Sequence, residues 1–241
     1  MQPCSDVLER ILDEAAELVR HYFRISVEGL EHVPVSGAAL IVPNHSGFGA
    51  ADALMIAHLV RREKGRVPRI LAHRAFFELF EPLRRASVAF GLDRVSVARG
   101  VELLTDEQLL LLFPEGESGN FKPSTRRYHL QPFHTGFVRM ALLSGAPIVP
   151  CVVIGAEEAQ LNLGSVDASR LLEGLRLPVP LNLFPLPSKW RIRFLEPIRL
   201  DHYPPGSASD RALTHELSVE IQIAMQRAIN GELGQRKSVY F

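Results

Sequence analysis

Hydrophobic positions along this chain fall into two kinds of run. Short unbroken apolar stretches at 38–42, 109–113 and 148–154 lack a polar face, as strands buried on both sides of a sheet require. Other stretches keep helical spacing. Over 6–23, Val7, Ile11, Leu12, Ala15, Leu18 and Tyr22 alternate with acidic residues, predicting an amphipathic helix capped by Ser5 or Asp6. Its default role is packing on its own domain; contact with lipid headgroups is the alternative. Further helices are predicted over 52–62, 100–108, 136–143 and 208–230, with Gly145 ending the third. Strict alternation predicts an edge strand at 25–29 and strands at 95–97 and 190–194. A short strand at 69–72 and broken helical turns at 76–80 and 82–85 complete the pattern.

Strands that alternate with helices predict an α/β fold: a central, mainly parallel sheet with helices on both faces. A single domain over 1–241 is expected, divided into an N-terminal helix (1–24), a core (25–200) and a C-terminal helix and tail (201–241). One segment breaks the rhythm. Residues 175–187 hold four prolines among apolar side chains, which excludes a regular helix or a central strand. An extended loop this apolar is expected to lie against something apolar: the core itself, a lipid surface or an acyl chain.

Composition narrows the function classes. With 27 basic and 27 acidic residues the chain carries no net charge, so no overall field favours nucleic acid. The basic clusters at 61–66 and at Arg126-Arg127 read as solvated surface or local anion sites. Two cysteines, Cys4 and Cys151, predict neither a disulfide nor a zinc site, and Cys151 is expected to pack as a small apolar residue. No metal is expected. The N-terminus shows no export signal, and no apolar run approaches the roughly 20 residues of a spanning helix. A cytoplasmic location is expected, with peripheral attachment to the membrane face as an option.

The candidate chemistry sits where apolar runs end. Asn44-His45-Ser46-Gly47-Phe48-Gly49-Ala50-Ala51-Asp52 follows the first run, and Phe113-Pro114-Glu115-Gly116 ends the second. A histidine and an aspartate at the mouth of an apolar core can form a base whose tautomer a carboxylate holds. Either residue alone reads as a turn former or helix cap. Backbone N–H groups in the Gly47-Phe48-Gly49 turn, or around Gly116, are candidates for an oxyanion site. No Gly-x-Ser-x-Gly elbow is present to supply a covalent nucleophile.

Four ordered blocks resemble the glycerolipid acyltransferases, the superfamily of lysophosphatidic acid, glycerol-3-phosphate and monoacylglycerol acyltransferases. They are Asn44-His45 through Asp52, Arg94-Val95-Ser96-Val97-Ala98-Arg99-Gly100, Phe113-Pro114-Glu115-Gly116 and Ala146-Pro147-Ile148-Val149-Pro150. The resemblance runs from about Val27 to Pro197. It implies a glycerol-3-phosphate acyltransferase-like domain with His45 as general base, Asp52 as its orienting partner, and Arg99, Glu115 and Gly116 in acceptor binding. It also implies acyl transfer from acyl-CoA or acyl carrier protein, with no cofactor, to a lysophospholipid, monoacylglycerol or diacylglycerol hydroxyl. A catalytically silent acyl-lipid-binding protein and an acyl-thioester hydrolase are the alternatives on the same scaffold.

Two departures from the family pattern stand out. Six residues separate His45 from Asp52, a spacing similar to the monoacylglycerol-acyltransferase-like branch. Glu117-Ser118 replaces the Thr-Arg that many phosphate-using members carry. Losing that arginine removes a bidentate phosphate clamp and makes a phosphorylated acceptor less secure, with Arg99, Lys122, Arg126 and Arg127 as the candidates to compensate.

Overall fold

The computed structural model describes residues 13–46, 51–72, 91–167, 176–204 and 206–240. The first twelve residues of the chain, residues 47–50 and the predicted helical turns at 76–80 and 82–85 lie outside them.

Among the described residues, seven strands form one sheet. In chain order its strands are β1 (Ser26–Glu28), β2 (Ala39–Pro43), β3 (Arg69–Ala72), β4 (Leu92–Arg94), β5 (Leu109–Leu111), β6 (Ile148–Ile154) and β9 (Arg191–Phe194). Spatially they run β1-β9-β6-β2-β5-β3-β4. Every pairing is parallel except β6 with β9, which is antiparallel. The expected mainly parallel sheet is therefore present. Strands β2, β5 and β6 are buried along their whole length, which explains their unbroken apolar sequence.

Two apolar cores sandwich the sheet, and the pleat of β2 divides its side chains between them. Leu40 and Val42 join Leu110, Phe137, Met140 and Ile221 on one face. Ala39 and Ile41 join Leu109, Leu111, Ile56 and Trp190 on the other. The second face is covered by the helical residues 13–22 (α1) and by α2 (Ala51–Lys64). The first is covered by α3 (Val97–Thr105), by α5 (Gly136–Ser144), which follows the single turn α4 (Glu117–Asn120), and by α7 (Arg211–Gln235).

Acidic residues of α1 hold it to α2: Asp13 pairs with Arg61, and Glu17 with His58 and Arg62. The hydrogen bond from His58, then that from Arg62, lowers the Glu17 carboxyl to about 2. Within the basic cluster at 61–66, Arg61 and Arg62 are thus taken up by the protein's own carboxylates, while Arg66 donates to the Pro34 and Glu107 carbonyls. Helix α7 is pinned to β9 by Glu232, which bridges Arg191 at 2.6 Å and Arg193 at 2.7 Å. Trp190 is buried and stacks on Phe23 with centroids 4.4 Å apart, anchoring the chain between α1 and β1. Cys151 is buried and unpaired, and burial pushes its thiol up, which leaves it inert.

Two expectations need correction. Residues 95–97 do not form a strand: Ser96 caps α3, accepting from the Arg99 N–H at 3.1 Å, so the helix starts at Val97 and strand β4 precedes it. Part of the proline-rich segment is a strand, because β8 (Arg176–Pro180) pairs antiparallel with β7 (Asn162–Asp167) in a separate two-stranded ribbon. Of the surfaces left open for the loop that follows β8, the core is not the one its apolar side chains lie against. Leu181, Leu183 and Phe184 face solvent, while Asn182 turns inward and accepts from the Leu161 N–H at 2.7 Å.

Candidate active site

Parallel pairing sets the location of the site. Because β6, β2 and β5 are adjacent and run the same way, the turns after them emerge at one end of the sheet. Open α/β sheets bind ligands in that crevice. Here the three turns carry Asn44-His45-Ser46, Phe113 to Gly116, and Gly155 to Glu158.

Asn44 extends the β2–β6 ladder past Pro43, which pairs with Cys151. Its buried side-chain amide donates to the Val153 carbonyl at 3.1 Å and accepts from the Val153 N–H at 2.7 Å. His45 follows directly. Its Nδ1 lies 2.9 Å from Oδ2 of Asp52, in the first turn of α2. The same Oδ2 accepts from the Ser46 N–H at 2.9 Å and the Ser46 hydroxyl at 2.8 Å, and Oδ1 accepts from the Ala53 N–H.

Asp52 has no exposed surface. Burial pushes its carboxyl up, but the charge and hydrogen bond of His45, with the two bonds from Ser46, outweigh that and hold it below the ordinary carboxylate range. A buried anion so placed keeps the Nδ1 proton on His45 and leaves Nε2 as the basic nitrogen. The ring stacks on Phe113, centroids 4.1 Å apart, and retains partial exposure. Its Nε2 has no hydrogen-bond partner among the described residues. The imidazole and carboxylate predicted from sequence therefore meet, and the six-residue gap closes.

Glu115 occupies a different place from an acceptor-facing side chain. It is wholly buried: Oε1 accepts from the His45 N–H at 3.0 Å and Oε2 from the Gln131 N–H at 2.7 Å. It holds the His45 backbone from the neighbouring turn. Gly116 has φ 54° and ψ −140°, a conformation open only to glycine, and its own N–H is taken by the Phe113 carbonyl at 3.2 Å. Gly47 and Gly49, the other oxyanion candidates, lie outside the described residues. Arg99 stands on α3 with its guanidinium on Asp93 (3.1 Å) and Glu102 (2.8 Å), and is not brought together with His45, Asp52 and Glu115 by any hydrogen bond or ion pair.

Sequence reasoning missed a buried charged group beside the dyad. Lys122 places Nζ 2.9 Å from Glu157 and 3.8 Å from Glu115. It is thereby committed inward, which overturns its candidacy as a phosphate clamp; Arg126 and Arg127 remain exposed. Glu157 also accepts from the Tyr128 N–H at 3.0 Å, and Tyr128 Oη accepts from the Gly155 N–H at 2.9 Å. Next to Ser46, Lys122 and Glu157 border a polar recess with room for one water-sized body, about 10 Å³. Asn44 and Glu157 are polar residues just past the ends of β2 and β6, and that position was the signal available for them; Lys122, beyond α4, carried no such signal.

A sequence profile for the Acyltransferase family matches residues 24–154, more than half of the chain and all of β1 to β6. The chain belongs to the acyltransferase family. Among its relatives, the chain is 37% identical over 234 residues to protein Rv0502 of Mycobacterium tuberculosis and 35% identical over 237 residues to protein ML2427 of Mycobacterium leprae. Each alignment covers 92% of this chain, which spans only 65% and 64% of the two relatives' lengths. Phytyl ester synthase 1, chloroplastic, of Arabidopsis thaliana is 30% identical over 152 residues, 60% of this chain and 21% of that protein. The acyltransferase fold is shared with the crystal structure of the 1-acyl-sn-glycerophosphate (LPA) acyltransferase PlsC from Thermotoga maritima. The TM-score is 0.62 at 18% identity, over 99% of this chain and 86% of that one. Among the described residues no helix is long and apolar enough to cross a membrane.

Proposed function

We propose that this acyltransferase moves a fatty acyl group from a thioester, acyl-CoA or acyl carrier protein, to an uncharged hydroxyl of a glycerolipid-type acceptor. The 2.9 Å contact between His45 Nδ1 and the buried Asp52 carboxylate carries the reading. His45 Nε2 takes the proton of the acceptor hydroxyl as its oxygen attacks the thioester carbonyl. When the tetrahedral intermediate collapses, the C–S bond breaks, the ester remains, and the proton passes from His45 to the departing thiolate. Donors for the oxyanion are assigned to backbone N–H groups of the turn containing Gly47 and Gly49.

An uncharged acceptor is favoured by what the basic residues do. Lys122 is neutralised by Glu157 and Glu115, Arg99 is engaged by Asp93 and Glu102, and Ser118 stands where an arginine clamp is otherwise found. Monoacylglycerol and diacylglycerol fit this better than a phosphorylated lipid. Within the same reading, Gly116 and Arg99 border the acceptor, and Glu115 is a positioning residue for His45.

The test is to incubate purified protein with radiolabelled oleoyl-CoA and a panel of monoacylglycerol, diacylglycerol, lysophosphatidic acid and other lysophospholipids. Label in neutral glycerolipid is the expected result. Free fatty acid alone would assign a hydrolase, and tight acyl binding without turnover a silent carrier. Preferential acylation of the phosphorylated acceptors would overturn the choice of an uncharged one.

A further inference from the structure

The β7–β8 ribbon and the loop behind it turn apolar side chains outward. Leu163 and Val166 of β7 are exposed, and after β8 so are Leu181, Leu183 (87%) and Phe184 (84%). Soluble surfaces rarely cluster large apolar groups in this way without a partner. The loop is held in this orientation by its own bonds. Asn182 fills the inward position, its amide donating to the Ala159 carbonyl at 2.9 Å and to the Phe184 carbonyl at 2.6 Å, so its neighbours point away from the protein. The surface continues onto α1, where Tyr22 donates to the Pro185 carbonyl at 2.7 Å and exposed Leu18 lies one turn earlier on the same side.

Cations flank this surface. Arg24 bonds the Pro187 and Tyr240 carbonyls at one end. At the other, the turn carrying Arg126 and Arg127 is tied to β7 by the Asn162 N–H donating to Ser124 Oγ at 2.7 Å. Among the described residues no carboxylate pairs with Arg24, Arg126 or Arg127. A second copy of the chain docking face to face would oppose like charges, whereas an anionic bilayer matches both an apolar centre and a cationic margin.

We propose that the β7–β8 ribbon with the loop through Phe184 is a docking surface for an anionic lipid bilayer, Leu183 and Phe184 entering the headgroup layer. Asn162 belongs to β7 and also borders the recess beside Ser46, so the docked face lies next to the dyad. The proposal goes beyond the transfer chemistry and does not depend on which hydroxyl is acylated.

Flotation of the full chain with vesicles of phosphatidylcholine, alone or mixed with phosphatidylglycerol, tests it. Wild-type protein is expected to float with the mixed vesicles, less so at high salt. Leu183→Asp with Phe184→Asp is expected to lower partitioning by about tenfold or more. Arg126→Glu with Arg127→Glu should weaken binding to mixed vesicles alone, and Leu143→Asp, at an exposed apolar residue of α5, should leave it unchanged. Wild-type protein that stays at the bottom of the gradient, or a Leu183/Phe184 variant that floats equally well, would overturn the proposal. So would light scattering showing a wild-type dimer that the double variant splits while vesicle binding is kept. Transfer between short-chain, water-soluble donor and acceptor reads the chemistry separately and is expected to survive the double substitution.

Discussion

Asn44 and Val153, 109 positions apart, are joined by two hydrogen bonds between one carboxamide and the backbone N–H and carbonyl of one residue. The pair sits immediately before His45 and takes over where the backbone ladder of β2 ends. Asn44→Ala leaves a buried N–H and a buried carbonyl unsatisfied, at about 1–3 kcal/mol each. We expect a drop in urea-unfolding free energy of roughly 2–4 kcal/mol. Asn44→Asp keeps the acceptor but sets a carboxylate against the Val153 carbonyl, and should be at least as damaging. An unchanged unfolding midpoint in Asn44→Ala would show that the clamp does not hold the turn.

His45→Ala is expected to lower turnover by about 10²-fold or more, the usual worth of a positioned base, with circular dichroism unchanged. Asp52→Asn tests the partner. Asp52 only accepts hydrogen bonds, three of them at Oδ2, so an asparagine must turn its NH2 toward a donor or present a single oxygen to all. Turnover should fall by ~10²–10⁴, through loss of both the tautomer and the anion that stabilises imidazolium. Single-turnover kinetics decide the matter: a defect confined to KM would remove the dyad from the chemical step.

Much of this arrangement was legible in the residues. Unbroken apolar runs at β2, β5 and β6 mark central strands because strands buried on both faces need no polar side, and parallel order then brings their C-terminal turns together. His45 and Asp52 were legible because only six residues separate them in the chain. The role of Glu115 was not, since its bond to His45 joins residues 70 positions apart and its direction is set by the packing of β5 beside β2. The partner of loop 181–184 was not legible for a related reason: composition calls for an apolar partner for Leu183 and Phe184 without saying which, and it is the two donors and an acceptor on Asn182, finding backbone partners, that set the polar residue inward.

Gly119 backs the Glu115 side chain. A methyl group there would stand 2.6 Å from Glu115 Cβ and 2.8 Å from its carboxyl carbon, closer than real contacts allow. Gly119→Ala should therefore displace the carboxylate from the His45 N–H and reduce kcat without altering any group proposed to touch substrate. Glu115→Ala is expected to show the same kinetic signature, and the pair of substitutions together should cost less than the sum of the two, because both act through one bond. Fully additive losses in that double-mutant cycle would separate Gly119 from Glu115.

Glu157 gives the fold a pH dependence of known sign. Two carboxylates, Glu157 and Glu115, share the single ammonium of Lys122 in a buried setting, so one proton is favoured there. Burial raises the Glu157 carboxyl to about 7 from its ordinary 4.5, against the pull of Lys122 and the Tyr128 N–H. The folded chain then holds this proton more tightly than the unfolded one. Its contribution is complete below pH 4.5, declines as pH rises toward 7, and is gone above that, a span on the order of 3 kcal/mol. Glu157→Gln keeps an oxygen for the Tyr128 N–H and removes the titration, leaving Lys122 with Glu115. The stability of the variant relative to wild type should therefore climb across pH 4.5 to 7 and level off beyond. Urea-unfolding series at several pH values measure that difference directly, and parallel curves for the two proteins would mean that Glu157 stays ionised beside Lys122 throughout.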